Sequence, residues 1–140
     1  MKFTNTVTVA RASGDVFAFL AQFENIPQWN YAIDRTWKVS DGPVGVGSIY
    51  RQQRTVPSHT EETFQVTEYD PDRRLAIEGT LGPFAATLTY QLEEIGEATL
   101  ITNDVDLVAT GLTRLVAPVA TNRIKTSVAS NLNVLKQLLE

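Results

Sequence analysis

Between Ile33 and Ala109 the chain divides into six strand-length segments with only short gaps between them. The separators are "DGPVGVG", "VPSH", "YDPDR", "TLGPF" and "EIGEA". Gly supplies unusual backbone angles, Pro fixes φ, and Asp and Ser bond the local backbone, so these are turns. A parallel strand pair needs a crossover of a dozen or more residues, and none of these gaps can hold one. Neighbouring strands are therefore expected to pair antiparallel.

The clearest alternation is over residues 84–92. Phe84, Ala86, Leu88, Tyr90 and Leu92 face one way, and Ala85, Thr87, Thr89 and Gln91 the other. Such a sheet has one covered face and one wet face. Residues 3–10 alternate as well, with Phe3, Asn5, Val7 and Val9 on one side, adding a first strand.

What covers the sheet is legible at the C-terminus. Leu112, Leu115, Val116, Val119, Ile124, Val128, Leu132, Leu135 and Leu139 recur at helical spacing over residues 112–139. A helix of that span is roughly 40 Å long. Pro118 predicts a kink or a helix start beside it. The stripe can be buried only across the covered face of the sheet. A curved sheet and a straight helix diverge at one end, which predicts an internal cavity.

A helical insert falls between the first two strands. Ser13 and Asp15 carry helix-start chemistry, and Val16, Phe19, Leu20 and Phe23 predict a short amphipathic helix over 14–23. In "FENIPQWN", Asn25 is the expected cap and Pro27 fits the first turn of a second short helix. Pro27 also disfavours helix at Ile26, placing a break there. The insert is then bent over the cavity mouth and carries Trp29 inward.

Composition narrows the chemistry. With no cysteine and a single histidine, His59, thiolate metal sites, disulfides and most histidine metal sites are excluded, and no cofactor or metal is expected. Net charge is −4, which disfavours nucleic acid. Residues 112–140 carry four basic residues and Glu140, so +4 − 1 = +3, leaving −7 on the rest. That basic segment is either a solvated helix face or a contact for a partner or membrane. "MKFTNTVTV" has no apolar h-region, and "VFAFLA" is too short to span a bilayer, so a cytoplasmic protein without stable membrane insertion is expected. Ser58 and His59 share a tight turn with no carboxylate to orient the imidazole, so they do not read as a catalytic pair. "GPVGVG" lacks the Lys-Ser/Thr of a phosphate loop.

The segments "VFAFLAQFENIPQWN", "GPVGVGSIYRQQ", "VTEYDPDRRLAIEG", "GPFAATLTYQLEEIGEATLIT" and "APVA…NLNVLKQLL" occur in one order. Together they resemble the polyketide cyclase/dehydrase-like branch of the START-like (SRPBCC) superfamily. The resemblance spans residues 1–140 as a single domain. It implies an α+β helix-grip fold: a curved seven-stranded antiparallel sheet wrapped around a long C-terminal helix, with two short helices between strands 1 and 2. It also implies a deep apolar cavity. Members bind lipids, sterols, hormones or aromatic polyketides, and a minority catalyse cyclisation or dehydration.

Candidate site residues follow from alternation. If "VPSH" is a two- or four-residue turn, residue i opposes residue 115 − i, which puts Phe64 opposite Arg51 and Glu62 opposite Gln53. Arg51 and Glu62 then aim inward and orient or polarise a ligand carbonyl, or else form a rim ion pair. A slip of one residue turns Tyr50, Gln52 and Arg54 inward instead. Trp29 and Tyr31 flank the mouth, either lining it or sealing the fold. Phe84, Tyr90, Asn103 and Leu107 sit on the covered face of the last strands, where Asn103 requires a partner.

The expected function is binding of a small hydrophobic molecule, lipid-like or an aromatic polyketide. Cyclase or dehydratase activity by Arg51, Glu62 and Tyr31 is one version. A carrier or sensor is the alternative, as is an interaction module using the basic C-terminal helix. A monomer or homodimer is expected.

Overall fold

The computed structural model describes residues 1–109 and 117–140. Seven strands form one antiparallel sheet: β1 (Lys2–Val9), β2 (Ile33–Lys38), β3 (Ile49–Arg54), β4 (Thr60–Asp70), β5 (Arg74–Leu81), β6 (Phe84–Ile95) and β7 (Ala98–Val108). Their order is β1-β7-β6-β5-β4-β3-β2, so consecutive strands neighbour one another from β2 to β7 and β1 closes onto β7. The short turns dictate this meander. Two bulges, at Ile33/Arg35 and Val66/Glu68, interrupt the ladders; bulges bend a strand and increase its twist.

The helices are α1 (Ser13–Ala21), α2 (Ile26–Trp29) and α3 (Ala117–Leu139), with a 3-10 turn at Phe23–Asn25. The N-terminus of α1 has no side-chain cap of its own. Glu94 of β6 supplies it, accepting from the Ser13 hydroxyl at 2.8 Å and the Ser13 amide at 3.4 Å. The break in the insert lies at Gln22 (φ −84°, ψ 84°) rather than at Ile26, which is helical. Asn25 does not cap α2; its amide donates to the Phe19 carbonyl of α1 at 3.2 Å. Pro27 lies in the first turn of α2, where a missing N–H costs nothing.

Helix α3 lies across the covered face, and its two halves bury differently. Leu132, Leu135 and Leu139 are buried, whereas Ile124 and Val128 are only half-buried and Val119, expected on the stripe, is 60% exposed. Leu112, Leu115 and Val116 lie outside the described residues. Two buried clusters result. The larger joins α1, Trp29, Phe64, Val66, Leu75 and the C-terminal half of α3. The smaller holds Phe3, Phe84, Ala86, Val105 and Leu107.

Gly79 sets one close contact in the sheet. It faces Phe64 across the β4–β5 ladder. A Cβ there would lie 2.5 Å from the Thr63 carbonyl oxygen and 2.6 Å from the Phe64 Cβ. The absent side chain lets β4 seat Phe64 against β5.

Candidate functional site

The covered face of β3 and β4 carries an aromatic group followed by a polar one. Tyr50 opposes Phe64, and Gln52 opposes Glu62. This is the slipped register, one residue from the pairing expected with Arg51 opposite Phe64. Five residues, 55–59, separate Arg54 from its partner Thr60. An odd connection reverses the parity that an even turn would give, and every β3 side chain changes face. Arg51 therefore points outward, 53% exposed, in an ion pair with Glu61 at 3.3 Å. Gln53 is exposed as well. Glu62 and Phe64 face inward as expected, at 3% and 4% exposure.

Arg54 takes the place expected for Arg51. Its Nε donates to Glu62 Oε2 at 2.9 Å, and both side chains are buried. Glu62 also accepts from Gln52 Nε2 at 2.9 Å and from the Gly82 amide in the β5–β6 turn at 2.8 Å. Both carboxylate oxygens are thereby engaged and the carboxylate is fixed. Among the described residues, Glu62 is the acceptor bonded to the guanidinium, through Nε. On β2, next to Gln52, the buried Thr36 hydroxyl has no partner among the described residues.

Phe23 packs edge-on against Phe64 at 5.3 Å, and Tyr50 stacks on Phe64 at 5.3 Å and 10°. Burial, with the nearby charge of Glu24 and then Tyr69 adding, pushes the Tyr50 phenol up to about 12. Trp29 is buried in the same cluster. Tyr31 is not: it is 61% exposed, and its hydroxyl lies 3.2 Å from the Ser127 hydroxyl of α3, tying the insert to the helix.

Farther along the face, Phe84 and Leu107 are core residues of the smaller cluster. Tyr90 is buried, its phenol pushed up by desolvation, and no described residue bonds its hydroxyl. Asn103 faces Tyr90 across the β6–β7 ladder and is fully buried. Its Nδ2 donates to the Thr89 carbonyl at 3.3 Å, while its Oδ1 has no partner among the described residues.

Two partly buried side chains lie between the two clusters. Leu88 occupies the centre of β6 on the covered face, with Ile77 and Val105 beside it. A central strand residue there is expected to be buried outright, yet Leu88 is only half-buried, as is Val128 on α3. These two side chains border both clusters. Sequence alternation placed both correctly, but period alone carries no information on how far the helix stands off the sheet.

A concavity lies elsewhere, beside the Asp70–Arg74 turn. An open polar groove of about 700 Å³ runs between Ser13, the Asp70–Arg74 turn, Gln91 and Glu94. Among the described residues no cluster of three or more His, Cys, Asp or Glu side chains is placed to hold a metal, and no helix is long and apolar enough to cross a membrane. Ser58 and His59 are both exposed in the β3–β4 connection.

A meander sheet closed on a C-terminal helix, with a buried Arg–Glu pair on an apolar face, defines a helix-grip protein. The chain belongs to the family described as polyketide cyclase / dehydrase and lipid transport, whose model matches residues 1–140. Solved structures agree on the fold. A Thermus thermophilus protein, TTHA0849, superposes with a TM-score of 0.81 at 14% identity, covering 98% of this chain and 95% of that one. The Zhui aromatase/cyclase from Streptomyces sp. R1128 gives 0.79 at 14% identity, covering 99% and 93%. The di-domain aromatase/cyclase StfQ of the steffimycin pathway gives 0.80 at 15% identity, with 99% of this chain covered and 50% of that one. No protein of curated function matches the sequence significantly.

Proposed function

We propose that the protein binds a small, largely apolar molecule between the covered face of the sheet and the N-terminal half of α3. The observation that carries this reading is the incomplete burial of Leu88 and Val128 between two otherwise buried clusters. Apolar side chains left partly accessible inside a fold gain free energy when an apolar guest covers them. The flat rings of Tyr50 and Phe64 favour a planar guest. Arg54 supplies the polar anchor: a planar fork held in place by Glu62. Tyr31, clasped to Ser127, bridges the insert and α3 at the expected mouth.

A catalytic version requires the same geometry. Arg54 would polarise a ligand carbonyl, and the enclosed site would hold a flexible chain in a reactive conformation. The family description and the aromatase/cyclase neighbours support that chemistry as a class.

Native mass spectrometry of protein purified from its own host tests the binding reading. A co-purifying small molecule is expected on the wild type and lost from Leu88→Trp, which fills the space between the clusters. The reading fails if Leu88→Trp folds normally and retains the same ligand.

A further inference from the structure

On the covered face, one buried amide oxygen is left without a donor. Asn103 lies on β7 between Asn5 of β1 and Tyr90 of β6, each directly opposite it across a ladder. It is fully buried, and its Oδ1 has no partner among the described residues. The amide is not free to turn over: its Nδ2 donates to the Thr89 carbonyl at 3.3 Å, and inversion would set oxygen against oxygen there. The group turned away from Thr89 is therefore an acceptor only. Neither neighbour in the row answers it. The Asn5 Nδ2 donates to the Lys125 carbonyl of α3 at 3.2 Å, and the Tyr90 hydroxyl bonds no described residue. A buried acceptor without a donor costs free energy, and in native proteins such an atom is ordinarily satisfied by a bound group. The surroundings of Asn103 say which group. Its diagonal neighbour on β6 is Leu88, two residues before Tyr90, and diagonal neighbours on one face lie within reach of a single ring. Leu88 and Val128 are half-buried, so they are the side chains that can change rotamer to admit a guest. A guest lying on Leu88 brings its edge to Asn103. A carbonyl or ether oxygen at that edge has no hydrogen to donate and faces Oδ1 acceptor to acceptor, whereas a hydroxyl donates. We propose that Asn103 Oδ1 accepts a hydrogen bond from a hydroxyl group of the guest, so that the site selects a hydroxylated ring compound (a phenol or a cyclic alcohol) over its methyl ether.

This rests on the binding reading above, and the test separates the two. Affinities of the full chain are measured for 2-naphthol and 2-methoxynaphthalene, two probes of one ring system. The ether is the more apolar, so burial alone favours it. Naphthol is nevertheless expected to bind at least about tenfold more tightly, the factor that corresponds to 1.4 kcal/mol. In Asn103→Leu, which keeps the volume and removes the acceptor, that preference is expected to fall below about twofold while the ether still binds. The wild type gives a second readout that needs no substitution. With isotope-labelled protein, the Asn103 side-chain carbonyl carbon is expected to shift in the nuclear magnetic resonance spectrum on adding naphthol and to stay in place on adding the ether. That readout decides the matter if Asn103→Leu does not fold. Equal affinities with an unmoved Asn103 carbon mean that the amide holds only a buried water; they overturn the inference and leave the binding reading standing. A naphthol preference that persists in folded Asn103→Leu also overturns it. If neither probe binds, the binding reading itself is wrong and this inference falls with it.

Discussion

Replacing Gly79 by alanine is the sharpest test of how the sheet is assembled. The added methyl carbon would sit 2.5 Å from the Thr63 carbonyl oxygen, 2.6 Å from the Phe64 Cβ and 2.8 Å from the Phe64 Cα. Two of these are backbone atoms, so no flexible side chain can swing away to relieve the clash. Strand β5 must move against β4, at the pair that seats Phe64 two residues from Glu62. Overpacking of this kind costs about 3 kcal/mol, the upper end of the usual range. In a chain of this size that lowers the melting temperature by about 10 °C. Two other glycines serve as controls. Gly45 has nothing within 4 Å of its notional Cβ and does not require a positive φ, so Gly45→Ala should change stability by less than about 1 kcal/mol. Gly82 has equal space but φ +61°, so Gly82→Ala pays only the left-handed penalty of about 1–2 kcal/mol. Urea unfolding of the three variants orders them. A Gly79→Ala variant as stable as Gly45→Ala would refute this packing of β5 on β4.

Other consequences are equally open to measurement. Glu62→Ala leaves Arg54 buried without its counter-charge and should destabilise by about 3–5 kcal/mol, whereas Arg54→Met/Glu62→Leu should recover most of that loss; chemical denaturation of the single and double variants checks the coupling. Tyr50 keeps its proton up to about 12 when folded, against 10.0 for the unperturbed phenol. Its raised folded value means this contribution is fully present below pH 10 and lost as pH rises from 10 towards 12, a fall of up to about 3 kcal/mol; ultraviolet titration of tyrosinate with parallel unfolding measurements tests it. Tyr31→Phe removes an exposed hydroxyl contact and should cost less than about 1 kcal/mol by thermal melt, so a larger loss would show that the clasp to Ser127 carries the fold.

Strand order and the covered face were legible because both follow from local signals. Short turns force a meander, and period-2 alternation assigns Phe84, Tyr90, Asn103 and Leu107 to the inside without knowledge of their partners. The anchor was not legible in the same way. Whether Arg51 or Arg54 turns inward depends on the parity of one connection, and the five-residue link 55–59 decides for Arg54. Alternating polar residues in "YRQQR" give no apolar pattern from which to correct the slip. Trp29 was placed inside correctly, but Tyr31 was not separable from it by sequence, since two residues along a helix end can face opposite ways. The half-burial of Leu88 and Val128 had no sequence signal at all. It depends on the distance between sheet and helix, which is a property of the whole fold.

Those two side chains are also where the central claim is most directly tested. With methyl-labelled protein and 2-acetylnaphthalene, intermolecular nuclear Overhauser effects should link the naphthyl protons to the Leu88 δ-methyls and the Val128 γ-methyls, while amides around Pro71 and Arg73 in the outer groove stay unshifted. Contacts confined to that outer groove, with the Leu88 and Val128 methyls silent at saturating probe, would contradict the account.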